Sequence, residues 1–286
     1  MDRIDRTYVK NLLPPRDPWG HKGTFGKVLC ICGSVGYTGA PIFASRAAVR
    51  TGSGLVFLAV PESIWQVCAA KSDEAMPFPL PDDGGGKLHR SAFGGIAARA
   101  EGCDAVLCGC GLGRSEALDW LVAQILTFPQ PLVLDADGIN AIASHMDVLQ
   151  RRRGRVTVIT PHEGEFLRAG GDLSRGRIDA AVDYAVKYGV YLVLKGHETV
   201  VAAPDGRYRV NTTGNSGMAK GGSGDVLAGM IVSLLGQGME AFDACCAAVY
   251  LHGRAGDLAA EEKGERGMTP TDLLENIPYA LKETEQ

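Results

Sequence analysis

Nothing in this 286-residue chain reads as a membrane span, because no apolar run approaches the ~18 residues that crossing a bilayer requires. The N-terminal stretch MDRIDRTYVKNLLPPRDP is charged and lacks the apolar middle of a secretory signal, so a cytoplasmic protein without a membrane partner is expected. An excess of either charge sign is missing too. Lys and Arg number 29 against 33 Asp and Glu, a net of −4, which speaks against a broad nucleic-acid surface. There is no internal repeat and no linker between two cores, so one domain over residues 1–286 is expected. Neither GxxxxGK[ST] nor GxGxxG occurs, which excludes a P-loop and disfavours a Rossmann dinucleotide site. The eight cysteines include the pairs Cys30/Cys32, Cys108/Cys110 and Cys245/Cys246, and no further ligands accompany these at zinc spacing. They read as small buried hydrophobes.

Glycine is what the chain has in excess: 38 residues, roughly twice the usual share of about 7%. Without a period, that surplus means tight turns and close backbone approaches. Apolar runs at 27–33, 55–60, 105–109, 131–135, 155–160, 190–196 and 199–203 read as strands covered on both faces. Helical patterns at 40–52, 115–126, 138–150, 174–188, 222–236, 240–262 and 270–284 alternate with or follow them. The order predicts a three-layer α/β/α fold with a mostly parallel central sheet. GRYRV (206–210) after the Pro204-Asp205-Gly206 turn adds a small antiparallel edge. Residues 71–88, rich in Pro, Asp and Gly, read as a long surface loop without a strand.

The most informative segment is NTTGNSGMAKGGSGDVLAG (211–229). Its glycines precede a helical pattern that starts at Asp225, so unpaired amides and the helix dipole would attract phosphate there. Asp225 reads equally as a helix N-cap or as a base that takes a proton from a substrate hydroxyl. GSVGYTGA (33–40) and CGLGR (110–114) are strand–turn–helix junctions, where α/β sheets bind ligands. Asp135 and Asp137 in VLDADGINAI (133–142), with His162, Glu163 and Glu165 in TPHEGEF (160–166), bring carboxylates to neighbouring strand ends. They could hold Mg²⁺ through water, or serve only to cap the helices that follow. In LKGHETV (194–200), Lys195 follows four apolar residues and can reach nucleotide phosphates.

In this order the segments resemble the NAD(P)H-hydrate dehydratase family, a nucleotide-dependent repair branch of the ribokinase-like superfamily, from about Gly23 to the end of the chain. GSGD alone would indicate only the superfamily; the ordered set is specific. The resemblance implies a ribokinase-like fold and an ADP- or ATP-dependent dehydration of the S-form of hydrated NADH or NADPH. The C6 hydroxyl would be phosphorylated and phosphate then eliminated. By that likeness Asp225 is the catalytic base and touches substrate, and Gly222, Ser223 and Gly224 form the anion hole. Ala40, Gly113 and His162 match positions that contact the hydrated cofactor. Lys195, Gly196, His197, Glu198 and Thr199, with Gly224, match those that contact the adenine nucleotide. Glu165 falls where the superfamily's PNxxE segment places a magnesium-related carboxylate, with His162 in place of the Asn. The family further implies Mg²⁺, a homotetramer and a functional partnership with a separate NAD(P)H-hydrate epimerase. Only about 25 residues precede the first apolar strand, so no fused epimerase domain is expected. No residue decides between ADP and ATP.

Overall fold

The computed structural model describes residues 2–286. Ten strands form one sheet: β1 (Arg3–Ile4), β2 (Lys27–Ile31), β3 (Leu55–Pro61), β4 (Met76–Leu80), β5 (Ala105–Cys108), β6 (Leu132–Leu134), β7 (Thr157–Ile159), β8 (Tyr191–Leu194), β9 (Val200–Ala202) and β10 (Tyr208–Asn211). Their order is β1-β10-β9-β8-β7-β6-β5-β2-β3-β4. From β8 to β4 all pairings are parallel, whereas β9 runs antiparallel to both β8 and β10. The mostly parallel sheet is therefore as the apolar runs predict, and the antiparallel edge as the turn at Pro204-Asp205-Gly206 predicts.

Those runs are unbroken because both faces are covered. Val28 and Cys30 of β2 face one core and Leu29 and Ile31 the other, and the strands beside it alternate in the same way. Helices α1 (Arg6–Leu12), α2 (Gly39–Arg50) and α3 (Glu62–Ala70) contribute to the first core. On the second lie α4 (Phe93–Ala100), α5 (Glu116–Ile125), α6 (Asp137–Asn140), α7 (Glu163–Arg168) and α8 (Arg177–Tyr188). The last three, α9 (Ser223–Gly236), α10 (Ala241–Lys263) and α11 (Pro270–Glu285), return to the first. The contact between α2 and α9 is backbone-close. A Cβ built at Gly229 would lie 2.1 Å from the Ala44 carbonyl oxygen, so only glycine lets the two helices approach.

Two expectations need correction. Residues 71–88 contain a strand, β4, paired in parallel with β3. Pro77 and Pro79 hide it from pattern reading. Two residues apart, they delete N–H groups on one side only, and at a sheet edge that side needs no donors. The helix read at 138–150 is instead the one-turn α6 followed by a 3₁₀ stretch, Ala143–Arg152, kinked at His145 (φ −150°, ψ 48°). Helices α1, α3, α4 and α7 and strand β1 are additions to the pattern read from the sequence. All eight cysteines are free and buried, in keeping with their reading as core residues.

Candidate active site

The parallel strands end on one rim, and the segments singled out in the sequence line it. Across this rim stands the N-terminus of α9. Gly222 occupies the position before the helix at φ +107°, where a Cβ would press 2.8 Å from the Phe43 ring and 3.2 Å from Pro270 Cβ. No side chain caps the helix, so its first-turn amides lack a side-chain acceptor. Asp225 is the third residue of α9. The ambiguity between cap and base thus resolves in one respect, because Gly222 fills the cap position. Ser223 is buried, and its carbonyl accepts from His252 Nε2 at 2.9 Å. Burial pulls the His252 pKa down to about 4, so the imidazole is a neutral donor that fixes the turn.

Beside the turn lies an ion pair that joins two strand ends. Lys195 Nζ is 2.7 Å from Asp135 Oδ1 and 3.9 Å from Glu165 Oε2. Asp135, 1% exposed, also accepts from Thr160 Oγ1 at 2.7 Å and from Cys110 Sγ at 3.5 Å. Burial opposes the Lys195 charge, but the two carboxylates overcome it and hold its pKa above the ordinary lysine range. The ammonium faces α9: a Cβ at Gly224 would lie 3.3 Å from Lys195 Nζ. Ligand atoms of Cys110, Asp135 and Asp225 fall within 4.8 Å of one another. Burial first, and then the Asp135 charge, push the Asp225 carboxyl up to about 7, while Cys110 and Lys195 pull the other way. A carboxylate so placed is a base poised near neutrality.

The remaining predicted residues lie toward two sides of the sheet, after β7 and β8 or after β2 and β5. On one, His162 and Lys195 are bridged in parallel, so TPHEGEF and LKGHETV are adjacent. The side chain of His162 accepts from Gly164 N at 3.0 Å, and Glu165 Oε2 accepts from His162 N at 2.9 Å, closing a capping box on α7. Gly196, at φ +155°, lies against Arg177, whose Nη2 would be 2.8 Å from a Cβ built there. Thr199 Oγ1 donates to Gly196 O at 3.0 Å, and Glu198 at φ +56° completes the turn. His197 and Glu198 line a concavity with Arg175, Arg177, Ile178 and Val200. On the other side, Ala40 opens α2 against Gly111, whose Cβ would be 2.8 Å from Ala40 Cβ. Gly113 N donates to Asp137 Oδ2 at 2.8 Å.

Several supporting groups escape sequence reading. Asp257 accepts from Gly214 N and Asn215 Nδ2, both at 3.0 Å, and Lys220 donates to the carbonyls of Glu265, Arg266 and Met268. These contacts dock the glycine-rich segment on α10 and on the turn before α11. Cys110 reads as a core thiol and is one, but it also touches the site. Only its position at a strand end could have signalled this.

A sequence profile of the NAD(P)H-hydrate dehydratase family matches residues 28–279. The chain belongs to this family. Among its relatives, the bifunctional NAD(P)H-hydrate repair enzyme Nnr of Moorella thermoacetica is 42% identical over 99% of this chain and 54% of the relative. The ADP-dependent (S)-NAD(P)H-hydrate dehydratase of Neisseria meningitidis serogroup B is 37% identical over 85% of this chain and 80% of the relative. The chain spans about half the length of the bifunctional relatives it matches. In structure it is similar to the ADP/ATP-dependent NAD(P)H-hydrate dehydratase of Bacillus subtilis co-crystallised with ATP/Mg²⁺. The TM-score is 0.82 at 29% identity, covering 99% of each chain. A ribokinase-like superfamily protein of Enterococcus faecalis gives 0.86 at 26% identity, over 100% of this chain and 97% of the other. The fold of this family member is thus ribokinase-like.

Proposed function

We propose that the chain is an ADP- or ATP-dependent (S)-NAD(P)H-hydrate dehydratase that restores hydrated NADH or NADPH to the reduced cofactor. The observation that carries the reading is an uncapped helix N-terminus with a base poised near neutrality in its first turn and a lysine ammonium beside it. Membership of the family supports it.

In this reading Asp225 takes the proton of the C6 hydroxyl, and that oxygen attacks the terminal phosphorus of the nucleotide. The bond to the departing nucleotide breaks, releasing AMP from ADP or ADP from ATP. Amides of Gly222, Ser223 and Gly224 and the Lys195 ammonium face the charge on the phosphoryl oxygens, the Ser223 amide giving up its 3.3 Å bond to Lys220 O. Hydroxide leaves poorly, whereas phosphate leaves well. The ring nitrogen lone pair then expels phosphate from C6, and loss of a C5 proton restores the double bond. Residues 195–199 take the adenine nucleotide, and Ala40, Gly113 and His162 take the hydrated cofactor.

Magnesium fits the residues only as a companion of the nucleotide. Oxygens of Asp135, Asp137 and Glu165 already accept from Lys195 and Thr160, from Gly113 N, and from His162 N. The Cys110 sulfur is too soft a donor for this ion. Glu165 is accordingly placed as an outer partner, reached through water. When bound, the ion would neutralise phosphate charge.

The reading extends to a cytoplasmic homotetramer built from one domain per chain, working with an epimerase that supplies the S-form; no helix among the described residues is long and apolar enough to cross a membrane. The test is hydrated NADH supplied with ADP or ATP, following the return of reduced-nicotinamide absorbance together with free phosphate. A stable phosphate ester in place of phosphate release would make the chain a conventional kinase, and no phosphoryl transfer at all would reject the proposal.

A further inference from the structure

The proposed substrate carries a diphosphate, and in its NADPH form a further 2′-phosphate, so its end of the rim needs cations of its own. Most basic groups near the rim are already engaged. Lys195 pairs with Asp135, and Arg177 pairs with Glu163 and the carbonyls of Leu194 and Lys195. Lys220 is held by three carbonyls, and Arg168 Nε lies 3.3 Å from Asn140 Oδ1. Lys87 and Arg114 differ. Among the described residues neither forms an ion pair, and both are near Gly113.

The loop after β4 delivers Lys87 to this place. Asp82 accepts from Ser63 N and Gly84 N, both at 2.9 Å, and Asp83 from Gly85 N at 2.8 Å. Asp83 N donates to Lys87 O at 2.8 Å, and Val35 N to Gly86 O at 3.0 Å, which stitches the loop to the turn before α2. Both aspartates are engaged by the loop's own amides. The Lys87 stem then lies across Gly113, whose Cβ would be 3.2 Å from Lys87 Cε. Arg114, the next residue, is exposed. Val35 and Tyr37, 56% and 59% exposed, offer apolar surface on the adjoining turn.

We infer that Lys87 and Arg114 bind the phosphates of the hydrated dinucleotide, with Val35 and Tyr37 as the apolar wall beside them. The inference rests on the proposed function and gives the loop after β4 a role in substrate selection. Joint replacement, Lys87→Ala with Arg114→Ala, is expected to raise KM for the hydrated cofactor about tenfold or more. The KM for ADP and kcat should stay within about twofold. Lys87→Arg should restore most of the loss that Lys87→Ala causes. Calorimetric binding of NADP⁺ should weaken in parallel, a readout independent of turnover. A rise shared by the NADH and NADPH forms assigns the diphosphate, and one confined to the NADPH form assigns the 2′-phosphate; both uphold phosphate recognition. An unchanged KM for the hydrated cofactor, or an equal loss for ADP, overturns the inference while turnover by the unaltered chain keeps the proposed function. Absence of turnover in the unaltered chain overturns the proposed function and this inference with it.

Discussion

A carboxyl held near 7 has two linked consequences for Asp225. As a base it must be ionised, so kcat/KM should climb through an acid limb near pH 7. Asp225→Asn should lower kcat by roughly 10²–10⁴-fold with nucleotide affinity retained. Near-normal turnover would remove the residue from the mechanism. Because the folded pKa is raised from 3.8, the folded state binds this proton more tightly than the unfolded chain does. The associated stability is complete below the unfolded value and disappears as pH rises through about 7. Ionised Asp225 is therefore a liability at pH 8, on the order of 1–3 kcal/mol after allowance for its partial exposure. Urea titrations should find Asp225→Asn more stable than the parent at pH 8, with the gap closing toward pH 4. Burial sets that limb in the first place, and two charged neighbours adjust it. Removing the Asp135 charge (Asp135→Asn) should move it to lower pH, and removing the Lys195 charge (Lys195→Met) to higher pH. Shifts in the same direction would disprove the electrostatic account. Asp225 and Lys195 are legible in the sequence because a glycine-rich turn and a polar residue closing an apolar strand are local signals. The Asp135–Lys195 pair is not, since its members are 60 residues apart and meet only when β6 and β8 flank β7.

Elements carry these residues, and their packing sets the tolerances. Helix α9 brings Asp225 and α2 brings Ala40, with Gly229 between them. Gly229→Ala should force the helices apart, destabilise the fold by roughly 2 kcal/mol or more, and lower kcat/KM for both substrates. Thermal melting and kinetics together check this; unaltered melting would mean that the helices adjust freely. At the opposite ends of the strands, Arg152 is buried and, among the described residues, has no carboxylate partner. It donates to Thr157 Oγ1 at 2.8 Å and to the carbonyls of Leu126, Phe128, Gln130 and Val156. Burial lowers its pKa to about 10, so it stays charged at neutrality. Arg152→Met should cost about 3 kcal/mol or more through stranded carbonyls. The KM values should hold, since the site lies on the far rim. Central strands are readable as apolar runs because both faces are covered. The edge strand β4 is not, because prolines are permitted only where pairing stops, and the six-residue α7 is too short to show a period.

Across the whole molecule, the strand order sets the two proposed ligand ends apart, with His162 alone of the cofactor residues at the nucleotide end. Residues 195–199 follow β8, and Ala40, Lys87 and Gly113 follow β2, β4 and β5, with Asp225 beside Asp135 and Cys110 at the strand ends between them. Nucleotide and hydrated cofactor should therefore bind without excluding each other. ADP at about 100 times its Kd should stabilise the fold by about 2.7 kcal/mol, and a substrate analogue should add to this. A melting shift with ADP that the analogue abolishes would mean that they share one pocket. The overall architecture is readable from the alternation of runs, but the division of the rim is not, because strand order is set by crossovers that leave no trace in local composition.

The eight unpaired thiols bear on handling. While the chain is folded they are sealed from alkylating reagents; burial raises the Cys108 pKa, and a hydrogen bond with Cys32 followed by burial raises that of Cys110, beyond easy reaction. Any molecule that opens releases all of them together into air. Heat inactivation should then become irreversible through random cross-linking, and added reductant should rescue recovery without moving the melting temperature.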